Sequence, residues 1–333
     1  MKILLGSHEF YPSTGGIETA SELLAREFVK LGHEVRVITQ TPGQGEFPFA
    51  VIRRPAPLDL VRQMEWSDVF LQNNISLRTL WPLLFVRRPL FITHQTWITG
   101  TGGEIGWLHR LKRWVLRFAK SLAISEAVAR RLPVESACVG NPYDDAVFHA
   151  HGSEARARDL IFVGRLVSDK GADILLQALA RLHDRGIKPQ LTIVGDGPER
   201  PALERQCADL RVQASVEFVG SFDSGRLAET LRQHRILVVP SRWPEPFGIV
   251  AVEAIASGCV VVGSDQGGLP EAIGPCGVTF PNGDAEALAE RLEELLKDPE
   301  RSDALRRGAP EHLHQFSRAH VAQLYLRAMA PPV

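Results

Sequence analysis

The sequence VVPSRWPEPFGIVAVEAIASG, residues 238–258, predicts a strand, a rigid loop and a helix in that order. Apolar, mostly branched residues at 236–239 are typical of a buried parallel strand. Three prolines then exclude both helix and central strand from the loop. Small apolar residues from 248 onward predict a helix, and the glycine at its end is a common helix stop. A helix that starts directly after a strand points its free N–H groups at the strand ends, so the stretch predicts an anion-binding site.

Two carboxylates bracket the start of this helix. Glu245 lies in the loop, and Glu253 lies inside the helix among apolar neighbours. Burying a carboxylate is unfavourable unless it is hydrogen-bonded. One interpretation is therefore that Glu253 binds hydroxyls of a ligand while Glu245 reaches a second polar group. The alternative is that Glu245 only complements the helix dipole and that Glu253 faces solvent.

Length and composition limit the class of protein. The 333 residues are 44% hydrophobic and 23% charged, which is ordinary for a globular protein and long enough for two domains. A net charge of −1 gives no general attraction to nucleic acid. The four cysteines lack metal-site spacing, so we expect reduced thiols. No signal peptide or membrane-spanning apolar run is evident, so we expect a cytoplasmic protein, with any membrane contact peripheral and on the inner face.

Short apolar runs alternate with helical patterns along the whole chain. This alternation predicts an α/β fold with parallel, helix-covered sheets. A polar segment at 141–153 is interpreted as a linker between two domains, 1–145 and 146–316. The expected strands are 3–6, 35–38, 69–71, 90–93, 122–124 and 137–139 in the first half, and 160–163, 191–194, 216–220, 236–239 and 260–263 in the second.

Polar residues at predicted strand ends mark a candidate site in the first half. Gly15 and Gly16 precede a helix and can bring backbone N–H groups close to a ligand, although their spacing is not a dinucleotide fingerprint; a tight turn is the alternative. His94 follows a strand, so it could transfer a proton or contact a substrate hydroxyl, or serve as a hydrogen-bonded structural residue. Asn73 and Asn74 end the preceding strand.

Residues 107–120 form a basic amphipathic pattern after a Gly-rich segment, 99–106, that we expect to be a mobile loop. Such a helix is compatible with an anionic membrane surface. The alternative is a sheet-covering helix whose apolar face belongs to the core, and a packed helix can still present a basic edge. The apolar residues are Trp107, Leu111, Trp114, Val115 and Phe118, and the basic residues are Arg110, Lys112, Arg113, Arg117 and Lys120.

In the second half, Arg165 and Lys170 flank a predicted strand-to-helix loop. Two cations there can neutralise a diphosphate, Arg through its fork of donors and Lys as a point charge. The alternative is that both are simply solvated. The residue order is not that of a P-loop. Gly267 and Gly268, before another helix, could form a second backbone anion site or a simple turn.

Five motifs, in order along nearly the whole chain, resemble the retaining GT-B glycosyltransferases of family GT4. The most specific is the segment Glu245-Pro246-Phe247-Gly248 with Glu253 eight positions after the first glutamate. The sequence departs from the family pattern at Arg318, where the family often has Trp. The other motifs are Gly15-Gly16-Ile17-Glu18, Gly164-Arg165 with Lys170, Val194-Gly195-Asp196-Gly197-Pro198 and Gly267-Gly268-Leu269-Pro270-Glu271.

The resemblance implies two Rossmann-like domains facing a cleft, a nucleotide sugar bound mainly to the second, and a last helix, 317–333, that crosses back onto the first. Glu253 would hold ribose hydroxyls, Glu245 would contact the donor sugar, and His94 would lie near the reacting sugar. The implied donor-binding residues are Gly15, Gly16, Gly164, Arg165, Lys170, Gly195, Pro246, Phe247, Gly248, Ile249, Val250 and Glu253, and the implied catalytic residues are His94, Glu245, Arg165 and Lys170.

The implied reaction moves a hexosyl unit from a UDP- or GDP-sugar to a glycan or lipid-linked acceptor. Two cations and a helix N-terminus can stabilise the leaving diphosphate, and no Asp-x-Asp pair is present, so we expect no required metal or other cofactor. We expect front-face displacement with retained stereochemistry. The alternatives are a disaccharide phosphorylase, a nucleotide-sugar epimerase, or a non-catalytic partner subunit with the same fold.

Overall fold

A computed structural model describes residues 1–13, 15–98, 106–150 and 156–330. The chain divides into two compact units. Unit 1 is Met1–Tyr143 with Phe316–Val333, and unit 2 is Asp144–Gln315. The domains predicted from the sequence were 1–145 with 317–333, and 146–316, which differ from these bounds by one or two residues.

Strands and helices alternate through both units. The strands are β1 (Lys2–Ser7), β2 (Glu34–Thr39), β3 (Ala50–Arg53), β4 (Val69–Asn73), β5 (Leu90–His94), β6 (Lys120–Ala123), β7 (Ser136–Cys138), β8 (Arg158–Val163), β9 (Leu191–Val194), β10 (Val216–Gly220), β11 (His234–Val239), β12 (Val260–Ser264) and β13 (Gly277–Phe280). The helices are α1 (Gly16–Lys30), α2 (Pro57–Trp66), α3 (Leu77–Leu80), α4 (Trp107–Val115), α5 (Glu126–Ala129), α6 (Ala172–Asp184), α7 (Arg200–Asp209), α8 (Ser224–Gln233), α9 (Ile249–Ala256), α10 (Leu269–Ile273), α11 (Ala285–Lys297), α12 (Pro299–Arg307), α13 (Ala309–His314) and α14 (Arg318–Met329).

Each unit contains one parallel sheet, as the alternation predicted. The unit 1 sheet has seven strands in the order β3-β2-β1-β4-β5-β6-β7, and the unit 2 sheet has six in the order β10-β9-β8-β11-β12-β13. The sequence analysis missed β3 and β13, two edge strands that are largely half-buried and lack a long apolar run. The α/β class with two doubly wound sheets is confirmed.

Two apolar clusters cover the faces of the unit 1 sheet. On one face, Phe28 of α1 and Tyr325 of α14 are fully buried, with ring centroids 6.4 Å apart. On the other, Met64 of α2 packs with Phe70 and Ile92 of the sheet. The last helix therefore belongs to the core of unit 1, although Arg318 replaces the family's common Trp at its start. In unit 2, α6 and α11 pack together over the sheet in one apolar cluster.

The predicted helix 107–120 is shorter than expected. Helix α4 ends at Val115, a 3-10 turn follows at Leu116–Phe118, and β6 begins at Lys120. No residue of α4 is buried, and Trp107 is 72% exposed. The alternative that placed this apolar face in the core is therefore wrong. The expected loop 99–106 lies outside the described residues except for Gly106.

In each sheet the strand order reverses next to the first strand of the unit. In unit 1 this reversal point lies between β1 and β4, and in unit 2 between β8 and β11. Loops diverge there in opposite directions and leave room for a ligand beyond the carboxyl ends of the strands. We therefore expect a ligand-binding site at one or both reversal points.

Candidate active site

In unit 2, two loops meet in backbone contact at the reversal point. One follows β8 and ends at Gly171, and the other follows β11 from Pro240. A Cβ on Gly171 would lie 2.0 Å from the Pro240 carbonyl oxygen, and Gly171 also has a positive φ of 69°. Only glycine fits there without displacement. This close approach brings Lys170 and Glu245, 75 positions apart, side by side.

Lys170 and Glu245 form a largely covered ion pair. The Lys170 ammonium donates to Oε1 of Glu245 at 2.6 Å, and the Ser241 hydroxyl donates to the same oxygen at 2.7 Å. The side chain of Lys170 is 24% exposed, and that of Glu245 is 14% exposed. Oε2 of Glu245 makes no hydrogen bond within the described part of the chain. One oxygen therefore fixes the carboxylate, and the other can accept a hydrogen bond from a ligand.

Arg165 is a cation held on a rigid backbone. Its side chain is exposed and pairs with none of the described residues. The flanking amides are fixed, because Gly164 N–H donates to the Val194 carbonyl at 3.0 Å and Leu166 N–H to the Asp196 carbonyl at 2.9 Å. Gly195 has a φ of 136°, and a Cβ there would lie 1.9 Å from the Gly164 oxygen. The guanidinium is thus available to a ligand.

Helix α9 starts as the sequence predicted, without a side-chain cap. Gly248 precedes it with a φ of 101°, and the N–H groups of Ile249 and Val250 come too early in the helix to reach a helical acceptor. Gly267 allows its own loop to pack against the loop that precedes α9. Its φ is 71°, and a Cβ at this position would lie 2.2 Å from the Glu245 carbonyl oxygen. Because Gly268 N–H donates to that oxygen at 2.7 Å, this glycine pair acts as a turn that supports the Glu245 loop.

Glu253 occupies an unfavourable environment for a charge. Burial, followed by the negative charge of Asp144, raises its pKa to about 8. The side chain is half-buried, so the interpretation that it simply faces solvent does not fit. Its carboxylate makes no hydrogen bond or ion pair with any described residue. Donors from a ligand would relieve this cost.

The predicted residues of unit 1 are occupied by local contacts. His94 at the end of β5 is 1% exposed, its Nε2 lies 3.2 Å from the Ser121 hydroxyl, and burial lowers its pKa to about 4. Asn73 donates to the Ser21 hydroxyl at 2.5 Å, and Asn74 accepts from the Gln95 amide at 2.8 Å. The geometry favours a structural histidine, and its role near a reacting sugar stays a prediction.

Two supporting residues of the unit 2 site gave no signal in the sequence. Ser241 orients Glu245, as described above. Arg242 forms a bidentate pair with Asp173 of α6, with two N–O distances of 2.5 Å. Ser241 is four residues from Glu245 in the same loop, but serine is common in loops and gives no distinct signal. The partner of Arg242 is 69 positions away, so no local pattern could reveal that pair. Within the described residues, no group of three or more His, Cys, Asp or Glu side chains is placed to hold a metal ion.

Two parallel-sheet units, each with its own reversal point, are the architecture of a GT-B protein of the α/β class. A model of the family described as "Glycosyl transferases group 1" matches residues 144–312, about half of the chain. The chain belongs to this family. The match covers the whole set of site residues in unit 2.

Similar proteins agree with this assignment. A glycogen synthase of Mycobacterium tuberculosis is 32% identical over 71% of this chain and 60% of its own length. A GDP-mannose-dependent α-(1-6)-phosphatidylinositol monomannoside mannosyltransferase of Mycolicibacterium smegmatis is 28% identical over 91% of both chains. The crystal structure of Anabaena HepE in complex with UDP has a TM-score of 0.84 at 20% identity, with 99% of both chains covered. The matched region thus spans about three fifths of the glycogen synthase.

Proposed function

We propose that the protein is a retaining glycosyltransferase that moves a hexosyl unit from a UDP- or GDP-sugar to a glycan or lipid-linked acceptor. The observation that carries this proposal is the group of residues at the reversal point of unit 2. It combines an unpaired Arg165, the Lys170–Glu245 pair and the uncapped start of α9. Two relatives support the donor class, since one was crystallised with UDP and another is named as GDP-mannose-dependent.

Each group has a distinct role toward the donor. Arg165 and Lys170 bind the diphosphate, and the N–H groups of Ile249 and Val250 add the positive end of a helix dipole. Glu253 accepts hydrogen bonds from the ribose hydroxyls, which supply the donors that its carboxylate lacks. Glu245 presents Oε2 to a sugar hydroxyl while Oε1 stays bound to Lys170 and Ser241.

The transfer breaks the bond between the anomeric carbon and the diphosphate oxygen. The acceptor hydroxyl oxygen bonds to the same face of that carbon, and its proton passes to the departing diphosphate. Negative charge on the leaving group grows during this step, so cations aimed at it stabilise the transition state more than the ground state. Because Arg165, Lys170 and the helix start supply this charge, the reaction requires no metal ion.

The protein works in the cytoplasm with unit 1 resting on an anionic membrane surface through residues 107–120. Support comes from the exposed aromatic residues of this segment, Trp107 at 72% and Phe118 at 68%, beside five Lys and Arg residues. Basic residues with interfacial aromatics are the usual chemistry of such contacts. Within the described residues no helix has the length and apolarity to cross a bilayer.

A thermal-shift panel of UDP-, GDP- and ADP-sugars tests the donor class, because a ligand that binds only the folded state raises its melting temperature. We expect a shift with a UDP- or GDP-sugar that is lost in Glu253→Gln. The matched control is Glu229→Gln on α8, an exposed helical glutamate away from the reversal point. NMR of the product then reads the anomeric configuration, and EDTA tests the metal.

Each alternative function predicts a different experimental result. An inverted product, or activity abolished by EDTA, would contradict the mechanism. Cleavage that depends on phosphate would indicate a phosphorylase, and turnover without acceptor an epimerase. Donor binding with neither transfer nor hydrolysis would indicate a non-catalytic subunit.

A further inference from the structure

A cavity of about 650 Å³ with both polar and apolar side chains in its lining lies at the reversal point of unit 1. It is lined from the ends of β1 and β4 and by α3 and α4. Arg78 and Lys112 both line it, and neither side chain pairs with any described residue. Glu9 is the acidic residue among the described lining, and it hydrogen-bonds to Glu18. The cavity therefore offers two cations that pair with no described residue, beside hydrogen-bonding groups of His8, Asn73, Asn74 and Ser76.

An apolar groove of about 750 Å³ adjoins this cavity. The cavity and the groove share Leu77, and α4 lines both: Leu108 and Lys112 line the cavity, and Leu111 and Trp114 line the groove. Several of the groove's apolar side chains stay exposed, including Leu84 at 81% and Trp114 at 52%. A continuous apolar surface of this kind marks a binding site more often than chance exposure.

The charge around the groove is of one sign. Residues 77–90 and 107–120 contain eight Lys and Arg and no Asp or Glu. Arg88 is committed to structure, because it donates to the backbone oxygens of Ser67 and Glu65. Arg87 is exposed and pairs with none of the described residues. An occupant of this region must therefore combine an apolar chain with negative charge.

We propose that unit 1 binds an acceptor that is an anionic amphiphile. Its phosphate-type head group lies in the cavity against Arg78 and Lys112, and its hydrocarbon chain lies in the groove over Trp114 and Leu84. The inference rests on the proposed transferase function and narrows its acceptor from a glycan or lipid-linked molecule to a lipid-linked one with an anionic head. A neutral soluble glycan would leave the groove exposed to water and both cations unpaired.

Three probes separate the head from the chain. Dodecyl phosphate, below its micelle concentration, carries both; dodecyl maltoside carries the same chain on a neutral head; glycerol phosphate carries only the anion. We expect the full-length protein to bind dodecyl phosphate at least ten-fold more tightly than either other probe in calorimetry. Equal affinity for dodecyl phosphate and dodecyl maltoside, or for dodecyl phosphate and glycerol phosphate, would overturn the proposal.

Matched variants locate the binding. Trp114→Asp should weaken dodecyl phosphate binding about ten-fold or more, because a large apolar contact is lost. Its control is Leu58→Asp on α2, a 72% exposed leucine outside the groove. Lys112→Glu should weaken dodecyl phosphate about five-fold or more and leave dodecyl maltoside unchanged; Arg62→Glu, also on α2, is its control. Phe118→Asp gives a second groove variant at a 68% exposed position if Trp114→Asp folds poorly.

Three further outcomes distinguish the acceptor proposal from the proposed donor function and from membrane docking. If Trp114→Asp keeps the donor thermal shift but loses transfer to lipid-linked acceptors, the acceptor assignment holds. If no nucleotide sugar shifts wild type while dodecyl phosphate binding follows the variants, the proposed function fails and the amphiphile site stands. If only phosphatidylglycerol vesicles bind, and Trp114→Asp abolishes that binding, the groove is a membrane-docking face and the acceptor proposal is wrong.

Discussion

At the carboxyl edge of the unit 2 sheet, charged groups are held in place by protein contacts before any ligand arrives. Lys170 and Ser241 fix Glu245, and Gly171 and Gly267 let the supporting loops touch. At the same edge of unit 1, His94 and Asn73 contact neighbouring hydroxyls, but Asn73 Oδ1 and Gln95 Nε2 are buried without a hydrogen-bond partner among the described residues. The uncommitted charges there are the cations around α3 and α4, which lie beside exposed apolar side chains. The same topology therefore presents an ion pair held by protein contacts in one unit and uncommitted cations beside exposed apolar side chains in the other.

The largest expected effect tests the fixed charge of unit 2. Arg165→Ala should lower kcat about 10²- to 10³-fold, since a preorganised group that stabilises transition-state charge is worth that much. The melting temperature should hardly change, because the exposed guanidinium pairs with no described residue. Arg205→Ala, an exposed arginine on α7, is the control. Activity within about three-fold of wild type, which is close to the resolution of a kinetic assay, would mean that the diphosphate does not bind at Arg165.

The next effect concerns the backbone that supports the charges. Gly267→Ala should destabilise the protein by about 2–3 kcal/mol more than Gly283→Ala in urea unfolding. Both glycines have positive φ, 71° and 84°, but only at Gly267 would the Cβ meet backbone, whereas at Gly283 it meets nothing within 4 Å. The comparison thus isolates the steric clash from the φ strain. Equal losses would show that the Glu245 loop is free to move away.

A smaller effect belongs to unit 1 and depends on pH. Burial lowers the His94 pKa from 6.5 to about 4, so between these values the unfolded chain binds the proton and the folded chain does not. This stability is present above pH 6.5 and is lost as pH falls, by roughly 2 kcal/mol at pH 5. Unfolding of wild type and His94→Asn at pH 7 and pH 5 should therefore show a steeper loss in wild type. Parallel losses would mean that the ring is accessible to protons.

The smallest expected effect concerns Glu253. Replacing its carboxylate should raise the stability of the unliganded protein and remove donor binding. Its pKa of about 8 exceeds the ordinary 4.5, so the folded state loses stability as pH rises between these values. Glu253→Gln should stabilise the unliganded protein by about 1–2 kcal/mol at pH 8.5, with no gain at pH 4.5. The same variant should lose the donor thermal shift. A variant that is less stable at pH 8.5 would show that the carboxylate already has a partner.

Residue patterns indicated the positions of the charged residues of unit 2 more closely than the surroundings of His94 in unit 1, for a physical reason. In unit 2 the functional groups lie within a few residues of strand ends, where apolar runs, glycines and prolines mark the turn. Arg242 gave no signal because its partner, Asp173, is distant in sequence, and Ser241 gave none because a serine in a loop is common. In unit 1, His94 has the expected position but a buried environment, which no local pattern reveals.

The sequence by itself determined the alternation of strands and helices and the loop that carries Arg165 and Lys170, because these follow from periodicity and from residues whose backbone limits are local. The GT-B class came from the resemblance of its motifs to family GT4. Only the tertiary structure decided which charges are paired, which carboxylate is held away from water, and that the apolar face of α4 stays exposed beside a cavity. Those properties depend on what other parts of the chain contribute to the same volume, and pairing and burial are set by such long-range contacts.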